Sequence, residues 1–302
     1  MAWRGLHLSR AARLSLERGG LLVECDGQEA LRFPLEDLAY LVLDSPQVLL
    51  TSRLLAACAE AGLAVISCDE RHMPCGLHLS YLGHFRQTEA VRRQLALSKP
   101  AAKRLWRRMA RDKILNQGRC LAYWSGKEQT VFTAMAEQVR PGDPDNIEAR
   151  AARLYWSSLF DGFVREDDAD RRNGLLNYGY AVLRAGWARA LVAHGFLPAL
   201  GVHHDSRGNA FNLADDLIEA TRPAVDHRAM MLVSRDGFDR SGPLSLDDRR
   251  HMSGVLGTTA CMEGRTLMLL DAVDQAVMSL RRAMDSGDDA ALVLPTPVFG
   301  AA

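Results

Sequence analysis

No apolar run in the chain approaches the ~18 residues that a membrane-spanning helix requires. The opening residues, Met1-Ala2-Trp3-Arg4, lack the basic-then-apolar order of a secretory signal. Six cysteines, at positions 25, 58, 68, 75, 120 and 261, form no C-x-x-C pair. A disulfide framework and a zinc ribbon both need closer, paired spacing, so reduced thiols in a cytoplasmic protein are expected. An excess of charge of one sign is missing too: 37 Lys and Arg face 37 Asp and Glu. That excludes a protein that finds nucleic acid through a uniformly basic surface, though not one with a local basic patch. Neither Ser125-Gly126-Lys127 nor Ser241-Gly242 has the glycine spacing of a phosphate-binding loop. No Ser or Cys lies in a nucleophile elbow, so covalent hydrolase chemistry has no support.

What remains is an ordinary globular composition, 48% hydrophobic and 25% charged over 302 residues, enough for one large domain or two smaller ones. Short alternating runs at Leu6 and Leu8, Leu14 and Leu16, Leu21 to Val23, and Leu31 and Phe33 predict strands. The compact run Leu38 to Leu43 predicts another. Thr51 to Ala61 reads as a helix stopped by Gly62, followed by a strand at Ala64-Val65-Ile66. This makes residues 1–75 a β-rich α+β domain, with a junction over 76–88. Residues 89–302 are mainly α-helical, with helices expected near 147–163, 175–193, 212–220 (closed by Pro223) and 267–284. The Pro- and Gly-containing tail after Val293 is expected to dangle.

Neutrality hides a local asymmetry. Between Arg86 and Glu128 there are twelve basic residues and three acidic ones, a net charge of +9. Arg104, Arg107, Arg108 and Arg111 recur at three- and four-residue spacings, with Lys113 close behind. One basic helix face could follow a phosphate backbone. The plainer reading is a solvated face paired with acidic loops such as Glu166-Asp167-Asp168.

The stretch from Gly201 to Pro223 is richest in chemistry. His203 and His204 lie on a loop, and a short helix then carries Asp215, Asp216 and Glu219. Asp216 and Glu219 share a helix face. Imidazole and carboxylates suit Mg²⁺ or Mn²⁺, and Glu148 could add a third ligand because an acid on that largely apolar and basic helix needs a partner. Spacing alone does not separate Glu148 from other acids, nor this group from solvated surface. Tyr178 and Tyr180 could face bases or the core, and Asn116 and Gln117 could face DNA or an internal network.

Taken in order, several segments carry a resemblance. They are Met1 to Arg4, Val65 to Glu70, Lys113-Ile114-Leu115-Asn116-Gln117, Ile147 to Tyr155, Arg172 to Tyr180, and Gly201 to Pro223. The chain resembles the CRISPR-associated endonuclease that serves as integrase in spacer acquisition, and its type II branch in particular. The resemblance implies that residues 1–75 form a dimerisation domain and the helical part is catalytic. By the family's motif, Glu148, His204 and Glu219 would be both metal ligands and catalytic residues, with Asp216 assisting. His204 rather than His203 matches, because the motif is Gly-x-x-His and Gly201 sets the count. One departure is visible: family members commonly have Pro-Phe before the closing Arg-Pro, where this chain has Ala220-Thr221.

The resemblance further implies Mg²⁺ or Mn²⁺ as cofactor, an asymmetric homodimer, and two such dimers bridged by the small ferredoxin-like adaptation protein. The expected reaction is insertion of a short double-stranded DNA into a CRISPR repeat by attack of its 3′-hydroxyls, in a prokaryotic cytoplasm. Two rivals stand beside it: a stand-alone metal-dependent nuclease acting on branched DNA in repair, and a non-catalytic DNA-binding scaffold.

Overall fold

The computed structural model describes residues 4–81 and 83–300; Met1 to Trp3 of the opening motif, Leu82 in the junction and the last two alanines lie outside the described residues. The N-terminal part carries eight strands: β1 (Arg4–Leu8), β2 (Ala12–Glu17), β3 (Gly20–Glu24), β4 (Leu31–Pro34), β5 (Leu38–Leu43), β6 (Val48–Leu50), β7 (Ala64–Cys68) and β8 (Pro74–His78). Helix α1 (Ser52–Glu60) lies between β6 and β7, capped by the Thr51 hydroxyl, which accepts from the Leu54 amide at 3.3 Å. One sheet has the order β4-β3-β2-β6 and the other β1-β5-β7-β8. β8 continues to His78, so the first residues of the expected 76–88 junction are strand paired to β7.

The side chains of β5 explain how the two regions join. Leu38 and Leu41 face the small core shared with Leu14, Leu21 and Leu54. Ala39, Tyr40 and Val42 face the other way, into the main core built by the helices. From Tyr40 to Leu43 strand alternation gives this sheet two apolar faces, and a register shift opposite Arg4 and Gly5 puts Leu38 out of phase, so Leu38 to Leu43 reads as a continuous hydrophobic run.

The helical part follows as α2 (Gln87–Ala96), α3 (Lys99–Ser125), α4 (Thr130–Gln138), α5 (Ile147–Leu159), α6 (Arg171–Ala193), α7 (Asn212–Ile218), α8 (Arg222–Val233), α9 (Leu246–Ser253) and α10 (Leu269–Ser286). A three-stranded sheet, ordered β10-β9-β11, adds β9 (Thr259–Met262), β10 (Arg265–Met268) and β11 (Thr296–Pro297). Fold class agrees with the expectation: a β-rich α+β domain, then a mainly helical one.

Two expectations are corrected. Pro223 does not close a helix but sits in the first turn of α8, where its missing N–H costs nothing. The tail does not dangle: β11 pairs antiparallel with β9, Leu292 and Leu294 are buried, and the Gly300 carbonyl lies 3.1 Å from His227 Nε2. Its prolines and Gly300 fall where strand pairing is short, and Leu292 and Leu294 supply the apolar anchors that composition obscures.

Candidate active site

Helix α3 runs beneath the site, and three of its turns touch it. Trp106 stacks on His203 with ring centroids 3.9 Å apart and an interplanar angle of 6°. Two turns further on, the Lys113 ammonium contacts the carboxylates of both Glu148 and Glu219. Asn116, buried, donates from Nδ2 to the Ala220 carbonyl at 2.7 Å and so holds the turn that carries Glu219. Asn116 and Gln117 therefore belong to the interior rather than to a DNA-facing surface.

Glu148 enters from the first turn of α5. Asp143 fixes that turn: its Oδ1 accepts from the Ile147 amide at 3.0 Å and its Oδ2 from the Glu148 amide at 2.9 Å. The carboxylate here both caps the helix and suits its positive end. Glu219 enters from the short 3-10 turn (Glu219–Thr221) between α7 and α8. Arg222 Nη1 donates to Glu219 Oε1 at 2.6 Å. Burial opposes the charged form of Glu219, but Arg222 and Lys113 outweigh it and hold the carboxyl down at about 2. Burial likewise opposes the charge on Lys113, and Glu219 and Glu148 outweigh it, so the ammonium persists.

His204 comes from the loop between α6 and α7, which Asp216 organises. Asp216 is fully buried, and its two oxygens accept from the backbone amides of Val202 (2.5 Å), His203 (3.0 Å) and His204 (3.0 Å). It also lies 2.7 Å from His204 Nδ1. With Nδ1 engaged, Nε2 is the ring atom left for a ligand. The Asp216 hydrogen bond raises the proton affinity of His204, and the nearby charge of Glu219 adds to it. Gly201 is required by close approach: a Cβ there would stand 2.2 Å from the His204 carbonyl oxygen and 3.0 Å from Asp216 Oδ2. Asp216 is thus placed as the residue that orients His204, both oxygens being occupied.

A buried relay supports the other side. Asp226 accepts from the Tyr155 hydroxyl at 2.8 Å and from the Tyr180 hydroxyl. The Tyr180 ring lies under the Arg222 guanidinium, 4.2 Å from its centroid, and Arg222 reaches Glu219. Tyr178 is core, with its hydroxyl 3.2 Å from His7 Nε2.

Among the described residues, no three His, Cys, Asp or Glu side chains stand close enough together to hold a metal ion. In kind, however, the donors fit one. Glu219 Oε2 is buried and lacks an aligned hydrogen-bond donor although Lys113 abuts it, and two carboxylates with an oriented imidazole are a set for Mg²⁺ or Mn²⁺.

The basic face is less free than its sequence suggests. Arg104 and Arg107 pair with Asp289 at 3.3 and 2.8 Å, Arg108 with Asp112 at 3.4 Å, and Lys113 is turned inward. Arg111 is half-buried, and its Nε has no hydrogen-bond partner among the described residues. Among the described residues the ion-pair partners of these arginines are Asp289 and Asp112 rather than the Glu166-Asp167-Asp168 loop. Sequence reasoning missed Asp143, Asp226 and Arg222 as site residues: Asp226 acts through tyrosines far along the chain, whereas Asp143, just before Ile147 and Glu148, and Arg222, one helical turn after Glu219, act on near neighbours that local spacing could have pointed to.

Comparison with known proteins finds relatives along nearly the whole chain. The family model described as CRISPR associated protein Cas1 matches residues 6–242. The CRISPR-associated endonuclease Cas1 of Neisseria meningitidis serogroup C (strain 8013) is 37% identical over 297 residues, spanning 98% of this chain and 96% of that one. Among solved structures, a casposase bound to integration product superposes with a TM-score of 0.76 at 16% identity, over 94% of this chain and 91% of that one. A Cas6-RT-Cas1–Cas2 complex does so at 0.73 and 18% identity, over 96% of this chain and 36% of that one.

Proposed function

Because the chain belongs to the family of CRISPR associated protein Cas1, we propose that it is a metal-dependent DNA endonuclease and integrase that joins the 3′-hydroxyl ends of a short duplex to a CRISPR repeat. The observation that carries this reading is the convergence of Glu148 and Glu219, from separate helices, on one cation, beside an imidazole oriented by a buried carboxylate. Glu148, His204 Nε2 and Glu219 would hold one Mg²⁺ or Mn²⁺. When bound, such an ion supplies Lewis-acid stabilisation of the charge that develops on the reacting phosphate and the departing 3′ oxygen.

The chain's own residues prepare that chemistry. Asp216 keeps the His204 ring turned so that Nε2 is presented, and Arg222 engages Glu219 Oε1 so that Oε2 is left. Asp143 fixes the turn from which Glu148 projects. Proton and ion compete for His204 Nε2, so ion loading weakens as pH falls below the raised pKa of His204. No side chain is placed as a covalent nucleophile; a DNA 3′-hydroxyl gives joining, and water in its place gives cleavage. Arg111, with Lys99 at the start of α3 and Lys127 just beyond its end, would meet the DNA backbone without reading sequence.

The partners follow from the same reading: double-stranded DNA, a second copy of the chain in an asymmetric homodimer, and the small ferredoxin-like adaptation protein bridging two dimers. The fold shared with a casposase bound to integration product and with a Cas1–Cas2 complex supports it.

The test is strand transfer of a labelled duplex into a repeat-bearing plasmid, with Mn²⁺ or Mg²⁺ and the small partner protein. Glu148→Ala, His204→Ala and Glu219→Ala each lose joined product by at least about a hundredfold while keeping duplex binding within a few-fold. Wild-type joining by any one of them removes that residue from the site. Cleavage without joining by the wild type would assign the chain to nuclease action on branched DNA.

A further inference from the structure

The position of Lys113 is unexpected for a site that loads a divalent ion. Its ammonium lies between the two carboxylates that would bind the ion, on a helix held in place on both sides of it. Trp106 is buried against His203 on one side, and on the other Asn116 bonds Ala220 and Pro295. These contacts anchor the helix, whereas the four-carbon stem of a lysine can swing. Charge is balanced as it stands: Glu148 and Glu219 against Lys113 and Arg222. A divalent ion added to that group would leave two uncompensated positive charges in a largely buried place, which is costly.

We propose that Lys113 is an internal counter-ion of the Glu148–Glu219 pair that a divalent ion must displace, and that the displaced ammonium is received by a phosphate of the DNA. Ion loading and DNA binding are then coupled through one side chain. Without DNA the ammonium competes for the carboxylates and the ion binds weakly. With DNA it has a second anionic partner, and the ion enters. By linkage the ion tightens DNA binding by the same factor. The proposal rests on the metal-dependent reading above and adds to it a reason for the site to load only with DNA in place.

The experiment measures Mn²⁺ affinity by calorimetry and by electron paramagnetic resonance, with and without a 3′-deoxy duplex that cannot react. In the absence of DNA, Lys113→Met binds Mn²⁺ about tenfold more tightly than the wild type and gains less than the wild type when the duplex is added. Equal or weaker Mn²⁺ binding by folded Lys113→Met overturns the proposal and leaves the metal-dependent reading intact. No Mn²⁺ binding by either protein, with or without duplex, removes that reading and the proposal with it.

Folding is covered by a second variant. Lys113→Met leaves two carboxylates facing each other, and adding Glu148→Gln relieves the repulsion. The double variant therefore melts higher than Lys113→Met alone in EDTA. A double variant as unstable as the single one makes Lys113 a packing residue and overturns the proposal.

Discussion

Four acidic residues around the site do four different things, and their surroundings decide which. Glu219 is anionic because two cations face it; Asp216 is spent on three amides and an imidazole; Asp143 caps a helix. Asp226, buried between two tyrosines, is the opposite case: burial raises its pKa to about 6, despite the tyrosine hydrogen bonds that work against the rise. A carboxyl whose pKa is raised on folding gives stability that is complete below its unfolded value, 3.8, and lost as pH rises through about 6. Between about pH 5 and about pH 7, Asp226 therefore removes on the order of 1 kcal/mol from the wild type. Asp226→Asn lacks this slope, so urea melts show the variant gaining on the wild type by that amount over the interval. A difference that does not change with pH would mean that Asp226 stays ionised. Of these four, the motif pointed to Glu219 and to Asp216. Asp226 was not legible, since its tyrosine partners are brought near only by the fold, whereas the Asp143 cap bonds amides four and five residues on and was a local signal passed over.

Elements that carry strong periodicity or clear caps were legible, and those set by tertiary pairing were not. β1 to β5, α1, β7, α5 and α10 lie close to their expected places, with Thr51 capping α1. The docked tail depends on contacts far along the chain, whereas the α9 capping box of Ser245 and Asp248, the Pro223 start of α8 and the β9–β10 hairpin are local signals that the periodicity reading passed over. α6 illustrates the second kind of constraint. Its Arg172-to-Tyr180 motif could face a ligand or the core by sequence; Arg172 is buried on Asp170, Asp161 and Gly162, and Gly179 lies against Val225 of α8 and Met252 of α9. A Cβ at Gly179 would stand 2.5 Å from Val225 Cγ1 and 2.7 Å from Met252 Cε. Gly179→Ala gains about 1 kcal/mol of helix propensity but loses about 1–3 kcal/mol to overpacking. Net destabilisation in chemical denaturation is expected; a more stable variant would show that the α6–α8 contact yields freely.

At the scale of the molecule, the β-rich region is bound to the helical one through the β5 sheet and a polar hub. Asp44, at the end of β5, is buried against Arg249 Nε (3.1 Å), His72 Nδ1 (2.9 Å) and His7 Nε2 (3.5 Å), and Tyr40 donates to the Ser253 carbonyl at 2.8 Å. Breaking such a pair leaves a buried charge and costs about 3–5 kcal/mol. Arg249→Met should lower the melting temperature while keeping one cooperative transition, because the two regions share the main core. Two separate transitions would show that they melt independently. The neutrality of the chain also makes sense at this scale: Asp289 and Asp285 draw in arginines of α2 and α3, so a +9 stretch presents less free charge than its sequence does.

The central proposal is that this site joins DNA by attack of a 3′-hydroxyl on a phosphodiester, at residues that would hold a divalent ion. The measurement that tests it most directly compares two labelled duplexes, one ending in 3′-hydroxyls and one in 3′-deoxy ends, in plasmid joining with Mn²⁺ and the partner protein. The account predicts joined product from the hydroxyl duplex only, lost in His204→Ala. Joined product from the deoxy duplex, or none from either, would contradict it.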